Sequence, residues 1–284
     1  MQLFLSTTFY GIERTNLADI LPVINKFDLD GIELGSTHNY SQDLVNIVKN
    51  EYNGRIVTHN FFPPSKNSSF VVNLASENIE VRENSIAHAT HCIIEAAKLG
   101  AEIYTVHPGF LANPMTSDAK LGNYDFDFSD EKIDRHIAFN FMIHSITKLR
   151  KIAIKYGVKL AIETEGSLTK PGVLLMETLS EYDLLFSIFP EDIYLNINLA
   201  HSRFAAEAHD FSLREFINRF YEKIVLVEVS HNDGIIDQHS PLVKGSFVFD
   251  YFDILPDVPY ILEFRNADLG EIEQSIALMR AHHF

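Results

Sequence analysis

Short apolar runs ending in an imidazole or a carboxylate recur along the whole chain, and this repetition constrains the fold more tightly than any other feature. The clearest run is Ile103-Tyr-Thr-Val-His107-Pro-Gly-Phe110. Its β-branched and aromatic residues close on a histidine, and a Pro-Gly pair then turns the chain. One histidine at a strand end is commonly just a polar residue meeting solvent. The same pattern at intervals over 284 residues is different. It predicts strands at about Gln2–Ser6, Gly31–Leu34, Arg55–His59, Glu102–His107, Val158–Glu163, Ile193–Asn198, Lys223–Val229 and Val258–Glu263. Strands this apolar are buried on both faces, as in a parallel sheet covered by helices.

The intervening segments have helical spacing. Ser76 is expected to cap one helix, with Ile79, Ile86, Ala89, Ile93 and Ala97 on its inner face and Gly100 at its end. Ser129, followed by Asp130 and Glu131, is expected to open another. Its stripe would be Ile133, Ile137, Phe141, Leu149, Ile152 and Tyr156, with Gly157 closing it. Eight strand-then-helix units predict an α/β fold, a (β/α)8 TIM barrel, and no composition shift divides residues 1–284 into more than one domain. Two connections, Asn60 to Ala75 and Leu111 to Phe128, exceed plain turns. Both leave carboxyl ends of strands, where barrel enzymes build their sites.

The chain has 39 Asp and Glu against 23 Lys and Arg, a formal charge of −16, which opposes binding of nucleic acid. No apolar run reaches membrane-spanning length. Cys92 is the sole cysteine and Met1-Gln2-Leu3 leads directly into strand-like sequence, so a reducing cytoplasm is expected. Oligomeric state is left open, a homodimer included.

In a closed barrel the strand ends bring Glu33, His59, His107, Glu163, Asn198, Glu228 and Glu263 to one mouth. His201, Asp237 and His239 follow just beyond the sixth and seventh strands. Three glutamates converging without a cation would repel one another strongly, and mixed imidazole and carboxylate groups are what divalent metals take. Histidines on helices, such as His88, His91, His136 and His144, are read as solvated or capping.

On these residues the chain resembles the xylose-isomerase-like barrel superfamily, which contains sugar phosphate isomerases and epimerases and the endonuclease IV relatives. The resemblance is carried by His59-Asn-Phe-Phe, Val72-Asn-Leu74, Ala97-Lys-Leu-Gly100, Val106-His-Pro-Gly109, Leu160-Ala-Ile-Glu163-Thr, Asn198-Leu-Ala-His201, Asp237-Gln-His239 and Leu262-Glu263. It implies three metal subsites: His59, His107 and Glu163; Glu163, Asn198, Glu228 and Glu263; and His201, Asp237 and His239. It also implies that Glu163 and Glu263 are an acid/base pair. Two positions depart from the family pattern, which usually has Asp at 198 and His at 228. The middle subsite would then be all oxygen, with Asn198 a weak carbonyl ligand, favouring Mn²⁺ or Mg²⁺ over Zn²⁺.

The function so implied is isomerisation or epimerisation of a small sugar or sugar phosphate by proton abstraction beside a carbonyl, with a divalent metal (Zn, Mn or Mg) as cofactor. Arg203, Lys244 and Arg265 would meet phosphate or hydroxyls. The alternatives are a metal-dependent phosphoesterase of the endonuclease IV type and a non-catalytic sugar-binding barrel.

Overall fold

Each of the eight expected strands forms, and together they close. In the computed structural model, residues 1–10, 15–66, 71–115, 127–128, 132–168 and 172–282 are described. The barrel strands are β1 (Gln2–Ser6), β2 (Gly31–Leu34), β3 (Arg55–His59), β4 (Ile103–Val106), β5 (Lys159–Glu163), β6 (Ile193–Asn198), β7 (Ile224–Val229) and β8 (Pro259–Leu262). All pair in parallel, in chain order, and β1 pairs with β8 to complete the ring. The helices are α1 (Leu17–Ile24), α2 (Leu44–Glu51), α3 (Ile79–Leu99), α4 (Arg135–Tyr156), α5 (Leu179–Ile188), α6 (Leu199–Ala208), α7 (Leu213–Phe220) and α8 (Leu269–Ala281).

Period-2 alternation sorts the strand residues into two cores. Leu3, Leu5, Ile32, Leu34, Tyr104, Val106, Leu160, Ile162, Val227 and Val229 point outward into the main cluster, shared with the helices. Phe4, Val57, Ile103, Ala161, Leu226 and Ile261 point inward and form a separate apolar layer inside the barrel. Gly31 makes room for that layer, because a Cβ there would run into the Phe4 ring. Two residues further along the same strands the inward positions turn polar: Ser6, His59, Thr105, Glu163, Glu228 and Glu263, with Glu33 beside them on β2. The barrel is therefore apolar at one end and densely ionisable at the other.

The helix boundaries and faces differ from expectation in detail. Asn78, not Ser76, caps α3, its side chain accepting from the Glu80 and Val81 amides; Ile79 lies 67% exposed. Asp134 caps α4, and the expected start at Ser129–Glu131 lies outside the described residues. The buried face of α4 is Ala138, Phe139, Met142, Ser145, Ile146, Leu149 and Ala153, whereas Ile137 and Tyr156 are exposed. Of the expected stripe, Leu149 is buried and Ile133 and Ile152 pack partly buried against the core. Gly100 and Gly157 do end their helices, both at φ 71 in the left-handed region that favours glycine. His88 is buried rather than solvated, its ring 4.2 Å from that of Phe61.

Of the long connection after β4, residues 116–126 lie outside the described residues. Its flanks pair as a two-stranded antiparallel ribbon, Pro114–Met115 with Asp127–Phe128, and Phe128 packs on Phe110 at 5.2 Å. No described helix is long and apolar enough to cross a membrane.

Candidate active site

The ionisable end of the barrel gathers the expected residues into three clusters whose ligand-capable atoms lie within 4.8 Å of one another: His59, His107 and Glu163; Glu163, Glu228 and Glu263; and His201, Asp237 and His239. Glu163, at the end of β5, joins them. Its Oε2 lies 2.6 Å from His59 Nε2 and 3.4 Å from His107 Nε2, while its Oε1 lies 3.2 Å from His201 Nδ1. Burial opposes its ionisation, but His107 and His59 overcome that and hold it well below the usual carboxylate range. Burial likewise opposes charge on His59, yet Glu163 and Glu33 raise it to about 10. Without a metal this is a cluster of buried ion pairs, so ion binding must release protons.

A second carboxylate, missed by the sequence reading, aims His107. Its Nδ1 lies 2.6 Å from Glu165 Oε1, leaving Nε2 turned towards Glu163. A ligating histidine needs such an orienting partner on its other nitrogen, and the Glu163-Thr-Glu165 spacing was the available signal. His201 is oriented similarly. Its Nδ1 faces the Thr164 carbonyl at 3.0 Å, an acceptor only, which makes Nδ1 the protonated nitrogen and leaves Nε2 towards Asp237, 3.3 Å away.

The third cluster has the close spacing expected of ligands around a common point. His239 Nε2 is 2.6 Å from Asp237 Oδ2 and its Nδ1 is 3.0 Å from Glu263 Oε2. Neither contact is aligned as a hydrogen bond, and Asp237 Oδ1 has no partner either. These are buried polar atoms arranged to be satisfied by something else. Burial opposes charge on Asp237, but His239 and His201 hold it well below the usual range. Glu263, against burial, is lowered to about 2 chiefly by His239.

The middle cluster is built differently. Asn198 projects its amide nitrogen between the three glutamates, 3.2 Å from Glu163 Oε1, 2.9 Å from Glu228 Oε2 and 3.1 Å from Glu263 Oε2. Its carbonyl oxygen caps α6, accepting from the Ala200 and His201 amides at 3.1 and 3.3 Å. The expected carbonyl ligand is thus taken by the helix terminus. Burial, followed by Glu163 and Glu263, pushes Glu228 well above the normal carboxylate range.

Glu33 is fully buried with neither oxygen in an aligned hydrogen bond. Burial raises it to about 7, with Glu263 and Glu163 adding to the effect and His59 opposing it. A carboxyl raised in the folded state loses its contribution to stability as pH climbs from the unfolded value, 4.5, to about 7. At about 1.4 kcal/mol per pH unit the loss is about 3 kcal/mol. Glu33→Gln should remove that fall from the unfolding free energy of the metal-free protein, measured by denaturant titration across this window. An unchanged slope would show that Glu33 is solvated.

The three expected substrate-binding cations separate. Arg265 borders the site, 3.7 Å from Asp237 Oδ2. Arg203 bonds Asn232 and lies over the Phe247 ring, lining a groove between α6 and α7 with Arg214 and Tyr251. Lys244 is exposed. Arg203 is on α6 itself, which carries it outward from the strand end.

In residue type and spacing the two imidazole-containing clusters suit a divalent cation: each brings imidazole nitrogens and an ionised carboxylate within 4.8 Å of one another, and in the third the buried atoms of Asp237 and His239 lack aligned partners. In the all-glutamate cluster, whose oxygens also lie within 4.8 Å of one another, the Asn198 N–H donor lies between the carboxylates.

A closed parallel barrel with carboxylates and imidazoles at the carboxyl ends of its strands is the arrangement on which barrel enzymes build their sites. The chain belongs to the xylose isomerase-like TIM barrel family, whose model matches residues 21–282. Among solved structures it is similar to a D-tagatose 3-epimerase-like protein, with TM-score 0.73 and 19% identity over 99% of this chain and 97% of the other. It is also similar to a Thermus thermophilus protein from crystals soaked with ZnCl2, with TM-score 0.67 and 16% identity over 100% and 98%. An AP endonuclease of family 2 from Brucella melitensis matches with TM-score 0.68 and 13% identity over 99% of each chain. At these identities the likeness is one of fold.

Proposed function

We propose that this chain is a metal-dependent isomerase or epimerase of a small sugar or sugar phosphate. The observation that carries the reading is the pairing of Glu163 and Glu263. Both are held ionised, and they arrive from strands three places apart to reach one amide nitrogen, at 3.2 and 3.1 Å. Two carboxylates converging from different sides are what proton removal on one face of a carbon and return on the other require.

Glu263 is 8% exposed against 1% for Glu163, so it meets an incoming substrate first and takes the proton beside the carbonyl. Glu163 lies deeper and returns a proton drawn from water to the opposite face, while the proton taken by Glu263 passes back to water. Arg265, bordering the third cluster, is placed for a phosphate or an acidic hydroxyl. The cation, held by His59, His107 and Glu163 or by His201, Asp237 and His239, supplies positive charge where substrate oxygens become negative. The D-tagatose 3-epimerase-like neighbour supports the choice of substrate class.

A second reading, hydrolysis of small phosphate esters, is favoured by one observation. The two imidazole-containing clusters meet at Glu163, and paired ions activate water for phosphoryl chemistry. The charge of −16 turns that reading away from polynucleotides.

The deciding experiment incubates protein loaded with Zn²⁺ or Mn²⁺ with a panel of sugars and sugar phosphates in D2O. Deuterium should enter beside the carbonyl. Phosphate release without exchange would carry the second reading. Binding without either would leave a sugar-binding barrel.

A further inference from the structure

We propose that the all-glutamate position on the barrel axis holds no cation in this chain, and that the Asn198 amide stands in its place, confining ions to the two imidazole-containing clusters. This rests on the reading that those clusters bind divalent ions. Three carboxylates with oxygens within 4.8 Å of one another would ordinarily be an acidic ion site. What closes it is the orientation of one side chain.

That orientation is set by chemistry on both sides. Backbone N–H groups of Ala200 and His201 can only donate, so the atom facing them must be the Asn198 oxygen. The ionised carboxylates of Glu163 and Glu263 can only accept, so the atom facing them must be the nitrogen. Turning the amide over would set NH2 against two N–H groups and a carbonyl against carboxylate oxygens. An aspartate at 198 would keep the cap with one oxygen and present the other to the axis, where it has lone pairs for a cation. Asparagine presents N–H and has none. The difference is one atom, with no backbone movement required.

An independent contact points the same way. Glu228, which stands where an imidazole is usual, has both oxygens engaged by amides: Oε1 accepts from Asn196 Nδ2 at 2.5 Å and Oε2 from Asn198 Nδ2 at 2.9 Å. Asn196 is itself tied to Thr105 Oγ1 at 3.3 Å. A glutamate clamped by two donors from β6 is a hydrogen-bond acceptor, and none of its oxygens faces the axis unaccompanied. Positions 196, 198 and 228 therefore form one unit, two amides serving one carboxyl, in place of ligands serving an ion.

The test counts ions and locates them. Wild-type protein, Asn198→Asp and Glu228→Gln are each saturated with Zn²⁺ and, separately, Mn²⁺, desalted for elemental analysis, and crystallised for anomalous diffraction. Expected in the wild type is one ion at His59, His107 and Glu163 and one at His201, Asp237 and His239, with no anomalous peak among Glu163, Glu228 and Glu263. Asn198→Asp, which keeps the cap, should gain one further ion on the axis. Glu228→Gln should leave the wild-type count unchanged. An axial peak in the wild type overturns the inference, and so does an ion lost from Glu228→Gln. A folded Asn198→Asp that still binds both flanking ions but gains none also overturns it. No ion anywhere in the wild type would instead sink the metal reading beneath it, an outcome distinguishable from an axial ion.

Discussion

Glu163→Gln is expected to lower turnover by about 10³-fold or more on whichever sugar shows deuterium exchange, the range set by losing a positioned acid/base group. The same change should abolish ion binding at His59 and His107 while leaving the His201, Asp237 and His239 cluster able to load. The reason is connectivity. One Glu163 oxygen serves His59 and His107, and the other faces His201 and Asn198. A neutral amide keeps the shape but turns a donor towards imidazoles that need an acceptor, leaving buried charge unbalanced in the metal-free protein. Steady-state kinetics and Zn²⁺ titration check the two parts separately. Turnover within about tenfold of wild type would remove Glu163 from the chemistry.

Gly166→Ala should be nearly as damaging although residue 166 bears no functional group. A Cβ there would collide with the His201 carbonyl oxygen and lie 2.7 Å from the Ala205 nitrogen. Both are backbone atoms of α6, so no side chain can swing aside. The first turn of α6 must move, and it carries the Asn198 cap and His201. Overpacking of this kind costs roughly 3 kcal/mol or more. Thermal unfolding should show the loss, and Zn²⁺ affinity at the His201 cluster should fall with it. A variant as stable as wild type would mean that the β5 exit and α6 are less closely packed than these contacts imply.

The strands were legible because alternation and chain breakers act locally. The run from Gly31 to Leu34 and the run from Ile193 to Asn198 begin and end where expected. Ring closure followed from counting them. The helix faces were less legible. Ile137 and Tyr156 advertise a core they do not join, while Ala138, Ser145 and Ala153 do join it and carry little hydrophobic signal. At the site, residue types at strand ends identified which side chains gather, since barrel closure does the gathering. What they do to one another depends on which atom of a side chain faces which neighbour. Asn198 shows the difference: its place at a strand end was readable, but α6 begins at the next residue, and that fixes its oxygen on the cap. Glu165, just past its strand, shows the converse, a residue whose role exists only through His107.

The apolar layer of Phe4, Val57, Ile103, Ala161, Leu226 and Ile261 has a consequence for traffic. Among the described residues it fills the barrel interior on the side away from Glu163 and Glu263. Anything reaching those carboxylates is therefore expected to come from the polar end. On the proposed function, a sugar seated against Glu263 would also cover the deeper Glu163 and its histidines, so an ion bound there would have to load before the substrate and leave after it.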